Sequence, residues 1–376
     1  MTDIDAEIAD FTAEEAGSID PELARMLLSR RLPRAELHSH LTGALRPSQV
    51  AELPAHLSWT QWGATHDYGG VEDFFGRLDA LGPAFADGGL VREQTLGVLR
   101  QAVDTGCRHV ELAVNHSEFD RTVLSLHEVL GRVADAFAEA GRLWGLTGGI
   151  ILAADRGTDP ARGLDAVRDA VAARERGVPV LGIGNDGFPA FGLGAFAAVF
   201  DAARSADLRT TAHANKPADV VAVVDLGLDR IDHAWELQGR PDLQDAVRRA
   251  GTPVTMAMSS CLMMLPGRFP TAAGFSFEEL RLAGLEVTLN VDDGAMFATD
   301  SAQEYALAAR TWDWDAQTLG DVAYTSLEAA WIIEDRDERL SSWRLEIDAL
   351  VADPRMPRRP NGAVDPLRRT PSRGLS

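Results

Sequence analysis

The chain is short of several things, and each shortage closes a class of answers. Its 376 residues include two cysteines, Cys107 and Cys261, too few for a disulfide scaffold and in keeping with a reducing compartment. No apolar run approaches the roughly 20 residues that span a bilayer, so no membrane partner is expected. The stretch Met1-Thr2-Asp3-Ile4-Asp5-Ala6-Glu7 is acidic where an export signal is basic, which makes a cytoplasmic location the expectation. Positive charge is also scarce: 36 Lys and Arg stand against 57 Asp and Glu, for a formal net charge of -21 and a sequence pI near 4.8. That balance argues against nucleic acid and anionic membranes as partners and leaves a small-molecule substrate.

What is present is an ordinary globular composition, 45% hydrophobic and 25% charged, able to bury a sizeable core. Short β-rich runs recur at residues 36–41, 109–114, 148–154, 179–184, 209–213, 230–234, 253–258 and 286–291. Amphipathic runs such as 124–140, 163–174, 191–205 and 243–250 lie between them. Strand and helix in alternation imply parallel pairing through right-handed crossovers. Eight such units predict an α/β fold, a (β/α)8 TIM barrel, with extra N-terminal and capping helices. The N-terminal helix is expected over 12–31, and 48–99, with Trp59, Trp62, Phe74, Phe75 and Leu81, reads as helices and a loop covering one end. A doubly wound open sheet fits less well, because no Gly-x-Gly-x-x-Gly follows the first strand. One barrel domain is expected over 1–352, with a disordered Pro- and Arg-rich tail over 353–376.

The run Glu36-Leu37-His38-Ser39-His40-Leu41 projects His38 and His40 from one face of a strand. Alone, the pair reads as half a metal site or, more readily, as a turn cap and a surface histidine. The barrel rule sends every strand's C-terminal end to one mouth, and nearly every run ends in a polar group: Asn115 and His116, Asp155 and Arg156, Asn185 and Asp186, His213, Asp232 and His233, Ser259 and Ser260, and Asp292 and Asp293, with His213 and Asp292 ending the fifth and eighth strands. Three imidazoles and a carboxylate suit one Zn²⁺ better than Mg²⁺ or Ca²⁺. Zinc with an open position lowers the pKa of its water toward ~7. The expected chemistry is attack of a metal-bound hydroxide on an electrophilic carbon. His233 would orient that water or move its proton, unless it is a satisfied core histidine. Asp293 reads as a substrate contact or a loop carboxylate.

Four motifs then stand in order: residues 34–47 around His38 and His40, Ala212-His213-Ala214, Arg230-Ile231-Asp232-His233, and 287–293 ending in Asp292-Asp293. Together, over about Leu32 to Leu345, they resemble the adenosine deaminase family of metal-dependent hydrolases. The resemblance implies a zinc-dependent aminohydrolase barrel that attacks C6 of an adenine-type ring with loss of ammonia. It puts His38, His40, His213 and Asp292 on zinc, His233 beside the attacking water, Asp293 on the purine N7 side, and the Gly187 backbone against the ring.

The departures lie at the substrate end. The family's His-Ala-Gly-Glu motif, whose glutamate protonates the ring, is here His213-Ala214-Asn215-Lys216. Either Lys216 takes the acid's place or a short deletion has removed the position; an exposed loop lysine is the bland alternative. Thr42 stands where the family commonly has an acidic ribose contact, and Phe188-Pro189 follow Gly187 where acids are usual. Thr42 and Asn215 join Gly187 and Asp293 as candidate substrate-binding residues. Trp235, Met256, Met258, Met263 and Met264 read as an apolar pocket wall or as plain core. The expected function is zinc-dependent deamination of a purine-like heterocycle. Another hydrolytic or lyase step with Lys216, or a catalytically silent nucleoside-binding protein, is the alternative.

Overall fold

A computed structural model of the chain describes residues 20–44, 68, 70–79, 81 and 88–356. Eight parallel strands pair in chain order: β1 (Arg34–His40), β2 (Cys107–Asn115), β3 (Thr147–Asp155), β4 (Val180–Asp186), β5 (Arg209–His213), β6 (Arg230–Asp232), β7 (Val254–Met256) and β8 (Val287–Leu289). Thirteen α-helices among the described residues surround or cap them, so the fold is the (β/α)8 barrel that the alternation predicts. β1 is buried along nearly its whole length, as parallel strands covered on both faces are.

Local chemistry sets the helix ends. Ser125 opens the helix Leu126–Trp144 with a reciprocal capping box to Glu128, and Gly145, at φ 67°, ends it in the left-handed conformation. Asp159 caps the helix Pro160–Glu175, whose first-turn proline has no N–H to leave unsatisfied.

The barrel closes between β1 and the segment that follows β8. Ser39 bridges Asp292 in parallel; Asp292 N donates to His38 O at 2.9 Å, and His40 N donates to Asp292 O at 3.2 Å. Below this seam Asn290 Oδ1 accepts from Leu37 N at 3.0 Å, and Glu36 accepts from His38 N and Val291 N. Burial pushes the Glu36 carboxyl up to about 8. Deeper in the barrel Arg230 pairs with Glu111 at 2.7 Å and stacks over Trp331.

The last three strands are shorter than the sequence runs. His233 and Ala234 leave β6 with φ 64° and 47°, and Asp292 follows β8 at φ 60°. Left-handed backbone at non-glycine residues costs on the order of 1–3 kcal/mol each and clusters where side chains are aimed for function. Met258 starts the helix Met258–Met264 instead of ending β7. The N-terminal helix is described over Pro21–Arg31. Residues 12–19, Trp59, Trp62 and 357–376 of the expected tail lie outside the described residues.

Candidate metal centre and active site

The strand ends bring four imidazoles together. Ring centroids lie 5.0 Å apart for His38 and His40, 4.9 Å for His38 and His213, and 4.5 Å for His213 and His233. Nitrogens of His38, His40 and His213 all fall within 4.8 Å of one another. The Nε2 atoms of His38 and His40 each stand 3.4 Å from Asp292 Oδ1. Tetrahedral zinc with ligands at about 2.0–2.1 Å has ligand–ligand edges of roughly 3.4 Å, so this spacing suits such an ion. His38 Nε2 is buried with no hydrogen-bond partner, which also fits a ligand atom.

The other side of each ring is held by protein. His38 Nδ1 faces Asp232 Oδ1 at 3.4 Å, and His40 Nδ1 faces Asp186 Oδ2 at 3.3 Å. Asp232 is clamped by hydroxyls on both neighbouring strands, Thr211 at 2.7 Å and Thr255 at 2.6 Å. Ser260 Oγ donates to Asp292 Oδ2 at 2.6 Å and leaves Oδ1 toward the imidazoles. Arg156 Nη1 donates to His213 O at 2.8 Å and Nη2 to Asp219 at 2.6 Å, fixing the end of β5. Outer partners of this kind orient metal ligands and set their tautomers.

Electrostatics divide the cluster in two. Burial opposes charge on His38, yet Asp232 and Asp292 lift it to about 9; His40 is likewise raised well above its usual range, by Asp293, Asp186 and Asp292. Burial and the neighbouring imidazoles hold His213 well below its usual range, and burial takes His233 down to about 4. Burial disfavours the Asp292 anion, but His38, His233 and His40 outweigh it and hold the carboxyl low. Burial drives Asp293 the other way, well up, with Asp292 and Glu118 adding to the shift.

The cluster floors a cavity of about 880 Å³. Its inner part is lined by His40, Asn115, Asp186, His213, His233 and Asp293, and its outer part by Val71, Phe74, Phe75, Phe119, Phe188 and Phe297. Thr42, Gly187 and Asn215 line it too, so nine of the ten site residues singled out in the sequence meet in one place, either on the cavity wall or, for His38, just beneath it. Thr42 Oγ1 donates to Glu118 at 2.7 Å, and the Asn215 amide oxygen has no partner. Gly187 has φ 82°, and a Cβ there would stand 2.5 Å from Asp155 Oδ1, so only glycine fits.

Lys216 is the tenth, and the structure does not bring it in. It is exposed, caps the helix Pro217–Leu226 with extended backbone, and is absent from the cavity wall. Of the proposed apolar wall, Trp235 and Met264 line the cavity, whereas Met256 and Met258 are core and Met263 packs on the Phe74–Phe297 cluster. Asp186, Asp232 and Ser260, read in the sequence as polar strand-end residues without an assigned role, contribute as outer partners, and Glu118 is the contributor that the sequence reading did not single out.

The adenosine deaminase family profile matches residues 33–346. An adenine deaminase of Agrobacterium fabrum is 28% identical over 322 residues, covering 83% of this chain and 98% of its own. An aminodeoxyfutalosine deaminase of Streptomyces coelicolor is 28% identical over 358 residues, 89% of each chain. Among solved structures, an amidohydrolase of Burkholderia ambifaria with bound Zn superposes with a TM-score of 0.79 at 23% identity, over 89% of this chain and 95% of that one.

Proposed function

Because the chain belongs to the adenosine deaminase family, a family of hydrolytic deaminases, we propose that it is a zinc-dependent deaminase of a purine-like nitrogen heterocycle. The observation that carries this is the convergence of His38, His40, His213 and Asp292 on the floor of the cavity. The names of the Agrobacterium and Streptomyces relatives support ring deamination, and the bound metal of the Burkholderia structure supports zinc.

His38, His40, His213 and Asp292 would hold the ion, which when bound supplies a water acidified toward a pKa of about 7. His233 stands on the cavity wall with an unpartnered Nδ1, and its depressed pKa keeps it neutral at neutral pH. It can therefore accept a proton from the attacking water and pass it on. Asp293, buried and raised, carries an unpartnered Oδ1 and can hold a proton against the ring nitrogen on the purine N7 side, away from the nitrogen beside the attacked carbon. The Gly187 backbone lets a flat ring approach β4, while Thr42 and Asn215 offer polar contacts at its edge.

The test is metal analysis of the purified protein together with ammonia release from aminopurines, aminopterins, their nucleosides and the cationic ring-N-methylated forms of each. About one zinc per chain and turnover of at least one panel member are expected. Protein without divalent metal, or loaded protein inert to the whole panel, would overturn the reading.

A further inference from the structure

Hydrolytic deamination of a neutral amidine-type ring, C(NH2)=N, adds water and expels NH3. The ring nitrogen must gain a proton on the way. Where the family motif reads His-Ala-Gly-Glu this chain reads His213-Ala214-Asn215-Lys216, with no carboxylate, and Lys216 is exposed and off the cavity wall. What the wall has instead is carboxylate.

Asp155 and Asp186 are register partners at the ends of β3 and β4, and both line the cavity. Asp155 accepts from Ser117 Oγ and, at 2.7 Å, from Gly157 N. Asp186 accepts from Asn115 Nδ2 at 2.5 Å and faces His40. Among the described residues no lysine or arginine pairs with either carboxylate. Glu118 adds a third acid to the wall. Arg162 lines the cavity but is bonded to Asp120 at 2.6 Å. A divalent ion offset by Asp292 leaves one positive charge. Even with Asp293 and Glu118 left out of the count, Asp155 and Asp186 outnumber it among the described residues. Two further buried polar atoms of the wall, His233 Nδ1 and Asp293 Oδ1, lack protein partners, so this end is built for a ligand.

We propose that the substrate is a cationic amino-heterocycle, an amidinium-type ring whose nitrogen beside the attacked carbon already carries a proton or an alkyl group, with Asp155 and Asp186 as its counter-ions. The proposal rests on the deaminase reading and names its substrate class. With such a ring the balance needs no enzyme acid. The cation and H2O give a neutral lactam and NH4⁺: the C–O bond forms, the C–N bond breaks, both water protons leave on the departing nitrogen, and the ring nitrogen keeps its substituent. A neutral ring would need the proton donor that the cavity wall lacks at the family position.

The experiment compares 9-methyladenine with its cationic 1-methylated counterpart on the zinc-loaded protein, by ammonia release and by calorimetric binding. At neutral pH the cation should show a kcat/KM and an affinity at least ~10-fold higher. Asp155→Asn should shrink that ratio by at least ~10-fold; being internal to one protein, the ratio is insensitive to a loss of active material. Raising the ionic strength on the unchanged protein should weaken binding of the cation and leave the neutral ring alone, a measurement that stands even if the variant fails to fold. Equal or better turnover and binding of the neutral ring overturns the proposal while leaving the deaminase reading intact. Selective binding of the cation without ammonia from either ring upholds the charge assignment and sinks the deaminase reading.

Discussion

The two ends of the cavity are built in different ways. At the inner end, side chains that face the metal position sit on residues whose own backbones close the barrel: His38 and His40 exchange hydrogen bonds with Asp292 across the β1–β8 seam. The outer end is made from loop residues and helix faces, and Phe188 and Val123 there are 47% and 82% exposed. Chemistry is held by strands, and substrate choice by segments that can change at little cost to stability. The departures Thr42, Phe188 and Lys216 all fall on the second kind of segment.

The sharpest way to break this contrast is at its rigid end. Asp292→Ala removes a proposed metal ligand and the side chain that Ser260 and two imidazoles face. Zinc content should fall below stoichiometry and turnover should drop by more than the 10- to 100-fold that losing an outer partner typically costs. Normal metal content with normal turnover would show that the carboxylate is no ligand. One step outward, Ser260→Ala frees Asp292 Oδ2 and should weaken zinc binding by about 10- to 100-fold, read by chelator competition, with the thermal midpoint nearly unmoved. An unchanged zinc affinity would mean the seam alone positions Asp292.

The same division explains what the sequence could disclose. A strand end points its residues at the mouth wherever the helices go, so His38, His40, His213 and Asp292 were legible from alternation and the barrel rule. The clamp on Asp232 was not, because Thr211 and Thr255 meet it only through lateral pairing of β5, β6 and β7. Ser260 read as a strand end but sits on the helix Met258–Met264, in a run whose apolar residues suit a strand and a short buried helix equally. Lys216 was placed by resemblance to a motif; its direction is set by the helix that Pro217 starts, which sends it outward.

Proton competition gives a subtler separation. His38 is raised to about 9, and His40 is raised too, so in the metal-free protein both hold protons at neutral pH that zinc must displace. Proton occupancy of His38 falls as pH rises through about 9, so between neutral pH and that point zinc should bind ~10-fold more tightly per pH unit for each proton displaced. Calorimetry in buffers of different ionisation enthalpy should record proton release on zinc uptake. An affinity flat between neutral pH and 9 would show that Asp232 and Asp292 do not hold those protons.

The smallest effect is expected at Lys216, and it tests the contrast from the loop side. It is the chain's only lysine, so reductive methylation reaches it and the terminal amine alone. A general acid's removal costs roughly 10²- to 10⁴-fold, whereas an exposed residue outside the cavity wall should change kcat by less than about twofold. Lys216→Ala and the methylated protein should therefore both turn over normally, with zinc content unchanged. A fall of about tenfold or more in kcat with KM held would put the ammonium at the reacting ring. The acid would then come from a loop, the rule that strands hold the chemistry would fail at its most exposed point, and a neutral ring would again be an acceptable substrate.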